Sequence, residues 1–210
     1  MIYDTEPGPE REAFGFAEAV RTHFGFLEEY GLRPVEEKST FVRYESPSIF
    51  VNVYHGRMSF ELGVEIGRMA SPGVRLTLFE ILAYDNVLEY RESGGFTAIS
   101  PEGIQQFLPT LADWTKKYTV PFLRDDPNAY SAAQEKRRYF AARYTKAVEL
   151  RVVRAQAEPA WQRKDFAKVV TLYESIKGDL TEVESRKLAY ARKHLIPAPD
   201  IPGNRARKNN

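Results

Sequence analysis

The stretch Ile49-Phe50-Val51-Asn52-Val53-Tyr54-His55-Gly56-Arg57-Met58-Ser59-Phe60-Glu61-Leu62-Gly63-Val64-Glu65-Ile66-Gly67 decides the fold. Apolar residues recur at every second position on both sides of Gly56, the period of a half-buried strand. Gly56-Arg57 read as the two-residue loop of a type II′ turn, with glycine at its first central position. That turn sets Val53 opposite Phe60, Val51 opposite Leu62 and Ile49 opposite Val64, so the large apolar side chains share one face. The other face pairs Tyr54 with Ser59, Asn52 with Glu61 and Phe50 with Gly63, an aromatic ring across bare glycine backbone. A one-residue slip would scatter the apolar set over both faces. A second apolar-polar alternation, Ser39–Glu45, precedes the hairpin. A fourth strand, Val74–Leu82, is expected after the Ser71-Pro72-Gly73 turn.

Upstream, Phe16, Val20, Phe24 and Leu27 recur at helical spacing and Gly31 stands where a helix stops, which predicts a helix over residues 10–30. The first part of the chain is thus expected to be an N-terminal helix packed on a four-stranded antiparallel meander, with Arg43, Asn52, Glu61 and Glu65 on the outer face. After Gly94-Gly95 the pattern turns helical. Ser100 and Pro101 start a helix whose stripe is Ile104, Phe107, Leu108, Leu111 and Tyr118, with a kink or break at Pro109. Thr119–Asn128, holding Pro121 and Pro127, reads as a linker. A helix over about residues 130–158 follows, with Tyr144, Val148, Val152 and Ala155 as its buried face and Pro159 at its end. A helical hairpin closes the ordered part, with Thr181 and Glu184 at capping-box spacing. The fold class is α+β, with an α+β meander domain over 1–95, a helical region over 96–196 and a disordered tail over 197–210.

The 210 residues, 43% hydrophobic, suffice for a core without staples, and the absence of cysteine excludes disulfides, thiolate metal sites and thiol catalysis. No apolar run approaches the roughly 20 residues that cross a bilayer, and Met1 to Glu12 is acidic and broken by proline and glycine. A cytoplasmic protein with no membrane partner is expected. The net charge of +1 is unevenly spread: residues 1–103 sum to −8 and residues 104–210 to +9. Such a split predicts halves that attract each other or faces that meet different partners.

Two stretches carry resemblances. Trp161-Gln162-Arg163-Lys164-Asp165-Phe166-Ala167-Lys168-Val169-Val170-Thr171-Leu172-Tyr173-Glu174 resembles one degenerate unit of the tetratricopeptide repeat, a family that usually has glycine where Lys164 stands. No second copy follows at a period of about 34 residues, so the resemblance implies a packing element and not a peptide-binding groove. The run from Phe26-Leu27-Glu28-Glu29-Tyr30-Gly31-Leu32 through Phe41-Val42-Arg43-Tyr44-Glu45-Ser46 to Glu65-Ile66-Gly67-Arg68 resembles small uncharacterised bacterial α+β proteins, some of them immunity proteins of toxin systems.

The residues that carry chemistry are sparse. His23, His55 and His194 form no His-x-x-x-His or His-x-His pair, and no glycine run builds a phosphate cradle, so no metal or cofactor is expected. Glu61 and Glu65, four residues apart on a strand, sit too far from each other for a carboxylate dyad. The chain therefore reads as a non-enzymatic protein-binding module, immunity-like or regulatory, which meets a basic protein through Arg43, Phe50, Asn52, Tyr54, Glu61 and Glu65. One alternative is nucleic-acid binding through the basic helix, with Lys136, Arg143 and Arg154 on phosphates. Another is an enzyme whose site is assembled from Arg43, His55, Glu61 and Glu65.

Overall fold

Strands β3 (Ile49–His55) and β4 (Leu62–Arg68) form the central antiparallel pair in the computed structural model, which describes residues 9–56, 58–85, 88 and 95–195. Their register differs by four residues from the one a two-residue turn would impose: Val53 lies opposite Val64, Val51 opposite Ile66 and His55 opposite Leu62. The connection takes up residues 56–61. Gly56 donates to the Glu61 carbonyl at 2.7 Å, Phe60 donates to the Gly56 carbonyl at 3.0 Å, and Phe60 adopts a left-handed φ of 55°. Because the shift is even, the apolar set stays on one face. On the other face both rings of β3 now lie on glycines of β4. A Cβ on Gly63 would fall 2.3 Å from the Tyr54 ring, and one on Gly67 would fall 2.4 Å from the Phe50 ring.

Strands β1 (Arg33–Lys38), β2 (Phe41–Glu45) and β5 (Arg75–Thr77) complete a five-stranded antiparallel sheet in the order β1-β2-β3-β4-β5. β1 is an addition to the expected four. It is largely exposed, contains Pro34 and slips register between Pro34 and Glu36, features that keep an edge strand from pairing with other chains. The expected strand Val74–Leu82 is strand only as far as Thr77. There the Thr77 hydroxyl accepts from the Glu80 N–H at 3.1 Å and the Glu80 carboxylate accepts from the Thr77 N–H at 2.9 Å. That capping box starts helix α2 (Leu78–Tyr84).

The inner face of the sheet is covered by α1 (Phe16–Phe24), flanked by 3-10 turns at Pro9–Phe14 and Gly25–Tyr30, and by α3 (Pro101–Tyr118). Phe16, Val20, Phe24 and Leu27 are buried, and Gly31 ends the run with a left-handed φ of 75°. The Ser100 hydroxyl caps α3 by accepting from the Gly103 N–H, and α3 runs on through Pro109. The expected linker Thr119–Asn128 is instead a packed corner. Its short helix α4 (Val120–Leu123) buries Phe122 and Leu123, and Asp125 accepts from Arg68 at 2.7 Å. Phe96, Ile104, Leu108, Phe122 and Tyr130 join the core beneath the sheet. The boundary expected at 95/96 therefore falls inside one packed unit, and the chain divides into Met1–Tyr139 and Phe140–Asn210.

Helix α5 (Pro127–Gln162) contributes to both units and continues through Pro159. In the second unit it buries Ala157 and Ala160 against α6 (Phe166–Ser175) and α7 (Glu182–Leu195), with Leu150 and Val153 partly buried beside them. Of the face expected to be buried, Tyr144 at 72%, Val152 at 50% and Ala155 are exposed, and Val148 is half-buried. Asp165 caps α6 by accepting from the Lys168 N–H, and Lys164 just before it has a left-handed φ of 57°. A left-handed φ is the conformation that glycine adopts at least cost. Thr181 and Glu184 form the expected reciprocal cap. The expected tail 197–210 lies outside the described residues.

Replacing Gly67 with alanine drives a methyl group into the Phe50 ring. Urea unfolding should show a loss of about 1–3 kcal/mol, typical of overpacking. Gly73→Ala, which meets open space, should stay within about 0.5 kcal/mol of the parent.

Candidate functional site

The outer face of the sheet carries a row of side chains that runs across the strands. Glu36, Arg43, Asn52, Glu65 and Thr77 stand directly opposite one another in succession from β1 to β5. Arg43 donates to Asn52 Oδ1 at 3.1 Å and to Glu45 at 2.5 Å. Asn52 donates to Glu65 at 3.1 Å, and Arg75 donates to the same Glu65 oxygen at 3.0 Å. The Arg43 guanidinium lies 4.2 Å above the Phe50 ring, which itself covers Gly67. Through the middle of the row, Arg43, Asn52 and Glu65 alternate as donor and acceptor, so each ordered group holds the next.

Of the residues expected on this surface, Arg43, Asn52 and Glu65 are brought into the row. Phe50 and Asn52 are each only 1% exposed, so they support the surface from within. Tyr54 is half-buried over Gly63. Glu61 is exposed and bridges to Thr97 ahead of β4, away from Glu65. Sequence reading missed Arg75 and Glu45. The signal for Arg75 lay in the short strand that ends at the Thr77 cap, since β5 brings it beside Glu65.

His55 belongs to the opposite face. It is 1% exposed and Arg11, from the first 3-10 turn, is 7% exposed. Arg11 Nη1 approaches His55 Nδ1 at 2.8 Å, and Arg11 Nη2 donates to the Gly56 carbonyl at 2.9 Å. His55 Nε2 lies 2.7 Å from the Ala98 carbonyl. A proton on Nε2 satisfies that carbonyl and leaves Nδ1 to accept from Arg11, which defines the neutral tautomer. The guanidinium also sits 3.9 Å from the Phe60 ring. Burial pushes the His55 pKa down; the hydrogen bond to Ala98 opposes this and the Arg11 charge reinforces it. The sheet backbone separates His55 from Arg43 and Glu65, so the expected assembly of Arg43, His55, Glu61 and Glu65 does not form.

The residues expected on nucleic acid are engaged elsewhere. Lys136 donates to Asp85 at 2.5 Å, and Arg154 donates to both Glu184 oxygens and to the Asp179 carbonyl. Arg143 is exposed on α5. An open depression of about 490 Å³ lies among Glu29, Ser46, Ser48, Arg124 and Asp125, and one of about 590 Å³ among Glu12, Glu18, Arg21, Glu37 and Lys38. Neither contains a residue of the expected sites. Among the described residues, no cluster of His, Asp or Glu is placed to hold a metal, and no helix is long and apolar enough to cross a membrane. No known family profile matches the sequence, and no curated protein or solved structure matches it.

The buried pair predicts a pH dependence with a definite sign. His55 binds a proton less readily in the folded chain than in the unfolded one, whose imidazole titrates near 6.5. Its contribution is complete above that pH and is lost as pH falls from there through the depressed folded value. Urea midpoints measured at pH 7.5 and 5.5 should fall with acidification, and His55→Gln should flatten the difference.

Proposed function

We propose that the chain is a protein-docking module, of inhibitory or immunity-like type, that covers a partner protein with the outer face of its sheet. The observation that supports this reading is the hydrogen-bonded run Arg43–Asn52–Glu65 in the middle of the cross-strand row, locked from the side by Glu45 and Arg75. Association normally costs about 0.5–1.5 kcal/mol for each long side chain that must be immobilised. Here Arg43 and Glu65 are held before any partner arrives, so that cost is met in folding. The surface offers a fixed pattern of donors and acceptors on a rigid sheet, which favours discrimination between partners over generic stickiness.

Field and pattern have separate roles in this reading. The outer face itself is nearly balanced, with Glu36, Glu45, Glu61 and Glu65 against Lys38, Arg43 and Arg75. The acidic excess of residues 1–103 acts at longer range, where it steers a basic partner toward the sheet and raises its on-rate. A nuclease is one kind of basic protein that such a face suits.

The test is quantitative binding to a partner isolated on the immobilised chain. Isothermal titration should show Arg43→Ala and the pair Glu61→Lys with Glu65→Lys each weakening the complex by roughly tenfold or more, about 1.4 kcal/mol. Circular dichroism should show the fold retained. A partner that binds all three proteins alike sinks the proposal.

A further inference from the structure

Helices α2, α4 and the start of α5, with the last residue of α3, enclose a small apolar hollow in the first unit. α5 contributes Ala129, Ala132 and Ala133, which share one face of the helix with Lys136. Alanines at these positions leave a space that longer side chains would fill, whereas packed interiors seldom hold voids larger than a water molecule. Opposite them, Ile81 and Phe122 are buried and the rings of Tyr84 and Tyr118 half-buried. The hollow measures about 180 Å³ and opens to solvent. An apolar cavity of about 150 Å³ takes up benzene, so this one suits a single ring or a branched aliphatic group. Arg137 on α5 donates to the two Glu80 oxygens at 3.0 and 2.7 Å, which holds α2 against α5 and keeps the space open.

One cation and one anion line the same hollow. Lys136 Nζ donates to Asp85 at 2.5 Å, and the two side chains are 46% and 51% exposed. An apolar lining with a few convergent polar groups is the build of a small-ligand site. We propose that the hollow binds a free α-amino acid with an apolar side chain. The side chain fills the space against the alanines, the carboxylate meets Lys136 and the ammonium meets Asp85. An α-amino acid carries both charges on one carbon, so it lies against an ion pair with each charge facing its opposite. An exposed pair of this kind contributes little to stability, and it gives way to a ligand that supplies two pairs in its place.

The pair argues against other occupants. An apolar carboxylic acid would bring its charge beside Asp85 as well as Lys136, and an apolar amine would bring its charge beside Lys136 as well as Asp85, so each gains one attraction and meets one repulsion. An aromatic residue of a protein partner would cover the pair with uncharged main chain, a desolvation with no new charge to offset it. Glycine has both charges but nothing to place against the alanines. The hollow shares no residue with the outer face of the sheet.

The experiment titrates the full, isotope-labelled chain with L-phenylalanine and L-leucine and follows its amide signals by NMR. Both should shift the signals of residues 129–136 with a dissociation constant on the order of 1 mM, the range open to a ligand of about a dozen non-hydrogen atoms. Glycine, phenylpropionate and phenethylamine, each lacking one of the three groups, should bind at least tenfold more weakly. Ala132→Leu fills the hollow from an exposed position and should abolish binding. Asp85→Asn and Lys136→Gln should each weaken it at least tenfold. Unchanged circular dichroism shows that the variants fold. Absence of saturable shifts with both amino acids overturns the proposal. So does equal binding of phenylpropionate or phenethylamine, which marks an unselective apolar space, or full binding to Ala132→Leu, which puts the ligand elsewhere. Arg43→Ala, on the sheet face, should leave the affinity unchanged, which separates this site from the docking surface.

Discussion

Two aromatic rings on bare backbone fix the geometry of the sheet. Phe50 and Tyr54 stand four residues apart on β3, Gly67 and Gly63 four apart on β4, and each ring occupies the volume where the opposing residue would carry a Cβ. Alternation of apolar and polar residues selects a face but says nothing between registers that differ by an even number. The glycines make that choice. In the register of a two-residue turn, Phe50 would cover Gly63 while Tyr54 faced Ser59 and Gly67 stayed bare. Moving four residues along gives both rings a glycine, and burying a ring of this size is worth about 1.5–3 kcal/mol. The price is a longer loop, which the left-handed Phe60 and the Arg11 stack above it absorb.

That register then determines what each side of the sheet can do. Even-numbered residues of β3 look outward and odd-numbered ones inward, so Asn52 and His55, three residues apart, belong to different environments. Asn52 falls between Arg43 and Glu65 and links the strands through amide hydrogen bonds beneath the outer surface. His55 falls under the first 3-10 turn, where burial leaves room only for a neutral ring between Arg11 and the Ala98 carbonyl. A shift by one position would exchange the two and leave a polar group unsatisfied in the core, a loss on the order of several kcal/mol. The outer row and the inner clamp are consequences of the same pairing.

Much of this was legible in the residues themselves. The inner face of the hairpin, the stripe Phe16–Val20–Phe24–Leu27 and the caps at Ser100 and Thr181 rest on local chemistry, and local chemistry decides them. The Thr77-x-x-Glu80 signature was present too, but the apolar run around it reads equally as strand. The corner at Val120–Leu123 was hidden by its prolines, though the run Val-Pro-Phe-Leu is too apolar for a solvated linker. β1 offers almost no burial and so no periodicity to read. In α5 the pattern is ambiguous in principle, because two apolar faces compete and only the partner helices α6 and α7 show which is used. The outer row was legible in part, since Arg43, Asn52 and Glu65 follow from strand parity. Arg75 depended on β5, and Arg11 on a contact 44 positions distant in sequence.

The charge split illustrates how position along a chain misleads about position in space. Cut at residue 103, the chain looks like an acidic and a basic half drawn toward each other. The ion pairs are more local than that. Lys136 and Arg137 meet Asp85 and Glu80 within the first unit, while Lys146, Arg154 and Lys187 meet Asp179, Glu184 and Glu158 within the second. Most are exposed pairs that contribute about 0–1 kcal/mol each. Glu80 is the exception in kind. Burial pushes its carboxyl up, yet Arg137 and the Thr77 cap outweigh that and hold it below the usual range. One side chain thus ends β5, starts α2 and anchors the beginning of α5.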